Sequence, residues 1–424
     1  MSMAPIHAPA HRLPARYIAV LSLIALLPFG SGLLMLDPND AVILGLANIT
    51  ILLIAPAMLI AWPEIRADLR PRGRLASLTM LLLAYGLALA AIRAPHMGFS
   101  LLTFAMWPAL MIAGRGLQQA IRHHGPHVAE VAMIILLLAG PLYILLLPLM
   151  QAFYPGQIHW SFDMPAFNHV RRMGHLLTVS AAAGVGLVAM GRVSRGPVIY
   201  RLALGALAIL ALALAIWTGA RGIWLSLPAG CALALITARL AGYKVHWGAT
   251  LALLPPAIGL ACLLPTLGRH FGVLSEIQNT LSRTDSIGSM SSGRLILWEH
   301  TLELISQEPL TGYGWGQFLL LQNRFSVPQA HNLPLEILLG VGVPMGVLAL
   351  GLILIFWVKA HRNIIHTGPW AVPALCVLDT MLIYSLLSGT FFYSVGAVLT
   401  GLAWGICLAS PKPDNPASDS GLGT

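Results

Sequence analysis

Residues 202–238, LALGALAILALALAIWTGARGIWLSLPAGCALALITA, hold two apolar runs with a single charge between them. The runs cover about 202–219 and 222–238, and each suits a bilayer crossing, which takes ~17–25 helical residues. Between them stands Arg221, in Trp217-Thr-Gly-Ala-Arg-Gly222, with almost no loop. A glycine-flanked turn this tight keeps the arginine at the membrane edge. Two readings follow: a snorkelling side chain that reaches lipid headgroups, or a fixed cation aimed at a phosphate.

Runs of the same kind recur near 17–36, 41–62, 75–93, 98–114, 128–150, 174–191, 247–265, 333–358, 369–388 and 392–410. With 57% hydrophobic and 9% charged residues over 424 positions and a mean hydropathy of +0.80, no soluble domain is compatible. The expected fold is an all-α polytopic membrane protein of about twelve transmembrane helices. The first run follows Arg12 and Arg16 but lacks a small-x-small cleavage site, so it is expected to stay as the first span. Pro141 and Pro255-Pro256 fall inside runs and are expected to kink those helices. The four cysteines, Cys231, Cys262, Cys376 and Cys407, lie in apolar runs without metal-ligand spacing.

The net charge of +9 needs no nucleic acid to explain it. Basic residues collect in cytoplasmic loops. With the N-terminus inside, Arg66, Arg70, Arg115, Arg122, Arg195, Arg239, Arg362 and all three lysines (Lys244, Lys359, Lys412) fall on the inner side. This supports an N-in, C-in topology. It divides the chain into a cytoplasmic N-terminus (1–16), spans one to nine (17–265), a long outer loop (266–332), spans ten to twelve (333–410) and a disordered tail (411–424). Arg93, Arg171, Arg172, Arg221, Arg269, Arg283, Arg294 and Arg324 are then outside, against the rule, and most occupy two loops. An anionic ligand on the outer face is the simplest reason.

The loop 266–332 is the longest polar segment, and such loops are commonly functional. Ser291-Ser292-Gly293-Arg294 opens an amphipathic run with Glu299 and Glu303 one turn apart. Ser292 is the expected N-cap; a helix N-terminus beside Arg294 would cradle an anion. The ordinary alternative is a capped surface helix. His331-Asn332 ends the loop; the histidine is either a satisfied interfacial residue or a proton acceptor. Arg171 and Arg172, with His169 and His175, crowd the loop before the sixth span and could meet a second substrate or a further phosphate. Asp379 lies within a span with no evident partner, as a hydrogen-bonded structural group. The outer carboxylates (Asp163, Glu276, Asp285, Glu299, Glu303, Glu308) show no DxD or ExD spacing, so no metal is implied. Tyr313-Gly-Trp-Gly316 is too short for a nucleotide-phosphate loop, so no nucleotide cofactor is implied either.

At these residues the chain resembles the O-antigen ligase family, within a superfamily of bacterial envelope glycosyltransferases. The resemblance lies in Thr218-Gly-Ala-Arg-Gly222, Ser292-Gly-Arg294 with Trp298, Pro309-Leu-Thr-Gly-Tyr-Gly-Trp-Gly316, and His331-Asn332 followed by Leu335-Glu336. One departure is Gly342-Val-Pro-Met-Gly346, spaced one residue wider than the family's usual pair. The resemblance implies a GT-C-like inner-membrane enzyme with a periplasmic site and no cofactor. Its partners would be undecaprenyl-diphosphate-linked polysaccharide, a lipid A-core acceptor and membrane lipids. Within it His331 is the general base, Arg221 and Arg294 bind the diphosphate, and Arg171, Arg172, Ser292, Asn332, Trp298 and Tyr313 contact substrate. An O-antigen polymerase and a protein O-oligosaccharyltransferase share this chemistry. An anionic-lipid transporter or flippase is the alternative of another class, but it would place charges near the bilayer midplane.

Overall fold

The computed structural model describes residues 15–24 except 17 and 23, then 73–153, 170–191, 197–265, 272–282, 293–321 and 329–409. The expected span over 41–62, and most of that over 17–36, lie outside these residues. Every regular element among the described residues is helical. In chain order they are α1 (Arg74–Ile92), α2 (Met97–Phe104), α3 (Met106–His124), α4 (His127–Phe153), α5 (Val170–Ala189), α6 (Val198–Trp217), α7 (Arg221–Leu240) and α8 (Trp247–Leu251). There follow α9 (Leu254–Leu263), α10 (Val273–Leu281), α11 (Arg294–Gln307), α12 (Phe318–Leu321), α13 (Leu333–Val341), α14 (Val343–Thr367), α15 (Val372–Ser385) and α16 (Ser394–Cys407).

Among the described residues five stretches are long and apolar enough to cross a membrane: Met97–His124, His127–Leu145, Val198–Trp217, Arg221–Leu240 and Val343–Thr367. The run 247–265 divides, as expected at Pro255-Pro256, into α8 and α9 around Ala252-Leu253, where both residues keep right-handed helical dihedrals. One sequence expectation is corrected. The run 333–358 is broken at Gly342, whose φ of 78° ends α13 before α14 begins. The segment long and apolar enough to span is α14, and α13 is a short helix outside it. The segment between α9 and α13 holds α10, α11 and α12 among its described residues, in keeping with the expected helical loop.

Helix α5 is the core. From Met173 to Ala189 its side chains are buried, and it packs on α4, α6, α7, α15 and α16. Lipid offers no hydrophobic gain for helix pairing, so close packing through small residues has to supply the attraction. The residues 180–186, Ser-Ala-Ala-Ala-Gly-Val-Gly, meet that need. At the joint of α7 on α15, a Cβ on Gly230 would stand 2.3 Å from the Thr380 nitrogen. A second is α3 on α16, where Gly405 lies against the Gly114 carbonyl.

The bundle has two distinct ends. At one, Tyr243 donates to the Ile364 carbonyl (2.9 Å), Asn363 to the Cys407 carbonyl (3.3 Å), and the His246 N–H to Ala189 (2.8 Å). Arg239, Lys244 and Arg362 fall there. Arg93, Arg221 and Arg294 fall at the other end, with His331. Between them Asp379 is hydrogen-bonded, as expected of a structural group: its Oδ1 accepts from Trp357 Nε1 (2.8 Å) and His361 Nε2 (2.9 Å). His361 Nδ1 in turn meets Thr237 Oγ1 at 2.9 Å, which ties α7, α14 and α15 together.

Because backbone atoms face Gly230, the site cannot relax around a larger residue. Gly230→Val is expected to cut the yield of folded protein and lower its melting temperature in detergent. Gly205→Ala, where a Cβ would meet nothing within 4 Å, serves as the neutral control. Equal melting of the two variants would refute the close-packing account.

Candidate active site

His331 lies in a short strap, Gln329-Ala-His-Asn332, that leads into α13. Its φ of 54° makes it the non-glycine residue with left-handed backbone among those described. Such a conformation is uncommon away from glycine and asks for support from its surroundings. The neighbours supply it. Gln329 donates to the Tyr393 hydroxyl (3.2 Å). Trp298 Nε1 donates to the Ala330 carbonyl (3.0 Å), and the Ala330 N–H donates to the Glu336 carboxylate. Asn332 caps α13 by accepting the Leu335 N–H (3.1 Å), while its Nδ2 donates to the Leu386 carbonyl (3.1 Å). Burial pushes the Glu336 carboxyl up to about 7, against the opposing pull of the Ala330 N–H.

Arg221 is the first residue of α7, after a turn through Gly219 (φ 67°). Thr218 Oγ1 donates to the Ala215 carbonyl (2.8 Å) and accepts the Ala220 N–H (3.4 Å), which sets the turn. The guanidinium Nε donates to Glu276 Oε1 at 3.1 Å; the arginine side chain is 23% exposed and the carboxylate 5%. A paired, largely buried cation is held rather than left to snorkel. Below it, Ile223, Trp224, Leu227, Leu254 and Ile277 line part of an apolar cavity of about 500 Å³ between α7 and α8–α10.

The segment from Tyr384 to Tyr393 connects these parts. A Cβ on Gly222 would stand 2.7 Å from the Tyr384 ring. That ring meets His175 edge-on at 5.2 Å, and His175 lies 5.8 Å from the Tyr393 ring and 3.4 Å from Ser388 Oγ. Tyr393 then reaches Gln329 and the strap. Arg294 is the first residue of α11, one turn before Trp298 and on the same face. The structure therefore gathers Arg221, Arg294, Trp298, His331 and Asn332 at one end of the bundle. Arg171 and Arg172 begin α5 one turn before His175, in a helix rather than the expected loop.

Other expectations shift. Ser292 lies outside the described residues, and the N-cap of α11 is Gly293 with φ 75°, which left-handed geometry favours over serine. Tyr313 is not brought to the strap. Its N–H donates to the Leu339 carbonyl (2.9 Å) at the far end of α13, roughly 10 Å of helix from Asn332 at 1.5 Å per residue. Its hydroxyl donates to Gln307 (3.4 Å), and burial, then the Glu308 carboxylate, raise its pKa. The rest of that turn anchors α2: the Trp315 N–H donates to Ser100 Oγ (2.8 Å), and Arg93 pairs with Glu308 at 2.8 Å. Sequence reasoning missed Tyr384, Gln329, Glu276 and the burial of His175. Only the position of Gln329, two residues before His331, offered a signal. No group of three potential metal ligands converges among the described residues.

The O-antigen ligase family model matches residues 206–350. Over those residues the chain is similar to that family. The match includes Arg221, Glu276, Arg294, Trp298, His331, Asn332 and Glu336, and leaves α5 and the segment after Tyr384 outside it. A general O-oligosaccharyltransferase of Acinetobacter baylyi (strain ATCC 33305 / BD413 / ADP1) is similar to the chain, 29% identical over 173 residues. That alignment covers 38% of this chain and 29% of the relative's length.

Loss of the Asn332 amide removes both a helix cap and a link to α15. Asn332→Ala should lower stability by roughly 1 kcal/mol or more, the usual cost of losing a cap. Asn332→Asp, which keeps the acceptor and loses the donor, should fall between in thermal melts. Identical melts for all three proteins would exclude the capping role.

Proposed function

We propose that this protein is an inverting, metal-independent glycosyltransferase of the bacterial inner membrane. It transfers O-antigen polysaccharide from undecaprenyl diphosphate to a hydroxyl of the lipid A-core oligosaccharide at the periplasmic face. What supports this reading is that Arg221, at the start of α7, Arg294, at the start of α11, and His331, in its strap, lie toward one end of the bundle, with an apolar cavity next to the Arg221 end of α7. An amphiphilic donor suits that arrangement, with its diphosphate at the arginines and its polyprenyl chain in the cavity lined by Trp224 and Ile277.

The acceptor hydroxyl attacks the anomeric carbon and the bond to the diphosphate oxygen breaks. The electron pair leaves with the lipid diphosphate, so one displacement inverts the anomeric centre. His331 takes the proton from the attacking hydroxyl, a role typically worth ~10²–10⁴-fold. Arg221 and Arg294 stabilise the charge that grows on the leaving group; a planar guanidinium fork matches phosphate oxygens as an ammonium cannot. Glu276 fixes the Arg221 fork. Trp298 and Asn332 hold the histidine's strap, and Arg171 and Arg172 serve a further phosphate or the acceptor.

The similarity to a general O-oligosaccharyltransferase supports a second reading, in which the acceptor is a protein hydroxyl. Purified protein in nanodiscs, given undecaprenyl-diphosphate O-antigen with either lipid A-core or hydroxyl-bearing acceptor peptides, separates the two by which acceptor gains sugar. Sugar on neither would count against both.

His331→Ala should reduce the turnover rate by at least ~10²-fold while donor binding persists; normal transfer would remove the base assignment. Arg294→Lys should fail comparably despite its retained charge. Rates should be unchanged by EDTA, and a loss restored by Mg²⁺ would overturn the metal-free mechanism.

A further inference from the structure

Glu336 is a buried acid in an otherwise apolar helix, Leu-Pro-Leu-Glu-Ile-Leu-Leu-Gly-Val341. A carboxyl in that position costs solvation, which an apolar residue would avoid. The carboxyl reaches back past the start of α13 to the Ala330 N–H, upstream of the Asn332 cap. Ala330 is fully buried, so its N–H would otherwise lack water as a partner. The result is a widened capping box, a closed ring from Ala330 to Glu336 with His331 inside it. The ring is tied from outside by Trp298 on the Ala330 carbonyl and by Tyr393 on Gln329. The carboxyl also borders a small cavity shared with Gln329, Ser388 and Gly389.

We propose that Glu336 is a positioning residue: by accepting the Ala330 N–H it holds His331 in its left-handed conformation and so aims the imidazole at the acceptor hydroxyl. This rests on the reading of His331 as the base. The requirement is for an acceptor oxygen at that reach, since the N–H can bond to a carboxylate, a neutral acid or an amide oxygen alike. A shorter acid would keep the charge and lose the reach.

The test compares Glu336→Gln, Glu336→Asp and Glu336→Ala with His331→Ala. All are purified in nanodiscs and assayed with undecaprenyl-diphosphate O-antigen and lipid A-core. Glu336→Ala and Glu336→Asp are expected to lower kcat about a hundredfold, the scale of a ~1 Å misplacement. Donor KM should stay within about twofold, because ground-state binding is untouched. Glu336→Gln should recover kcat to within about threefold of the parent, since the amide oxygen takes over the bond. Glu336→Ala on top of His331→Ala should slow the reaction no further. A fully active Glu336→Asp, or a Glu336→Gln as slow as Glu336→Asp, overturns the inference even if the alanine variant does not fold. A raised KM with kcat intact overturns it too, by making Glu336 a donor contact. An active His331→Ala defeats the base reading itself, whereas an inactive one beside a fully active Glu336→Ala defeats only the positioning role.

Discussion

The close approach of α7 to α15 is the constraint on which the site depends. Gly230 brings the two backbones together at mid-helix, and Gly222 lets the start of α7 lie against the Tyr384 ring. Arg221 precedes Gly222 directly, so the same contact that packs the bundle fixes where the cation stands. In lipid such a joint is one of the few sources of specificity, because apolar side chains pair no better with each other than with the bilayer. Polar bonds reinforce it from within: Asp379, His361 and Thr237 cross-link α15, α14 and α7 well away from the site.

From that joint the order of the site passes through side chains rather than through the backbone. Buried Tyr384, His175 and Gln329, with half-buried Tyr393, form a row that leads from the Arg221 end of α7 to the strap of His331. The strap itself has no regular structure, yet both polar backbone atoms of Ala330 and both ends of the Asn332 amide are engaged. A loop held at so many points can keep an imidazole in a conformation that most residues avoid.

Much of this was legible in the sequence, and the limits have physical causes. The pattern of 202–238 predicts α6 and α7 to within a few residues, because apolar periodicity and length determine a span wherever it packs. Arg221, Arg294, Trp298 and His331-Asn332 stood out as polar groups that the membrane does not explain. What was hidden is pairing across helices. Nothing in the local sequence joins Glu276 to Arg221, or His361 to an aspartate in the next helix. Backbone geometry was hidden too: Gly293 as the cap of α11 depends on a dihedral choice that a hydropathy pattern does not encode. Gly342 looked like a variant spacing, whereas it is the joint between two helices.

That joint has a mechanical consequence. A continuous rod from His331 to Thr367 would pass every change of membrane tilt on to the imidazole. With the chain broken at Gly342, the loop grips both sides of the break: the Tyr313 N–H donates to the Leu339 carbonyl of α13 (2.9 Å), and the Val343 N–H, at the start of α14, donates to the Pro309 carbonyl (2.7 Å). The strap of His331 thus takes its direction from the loop and α13 rather than from the long axis of α14.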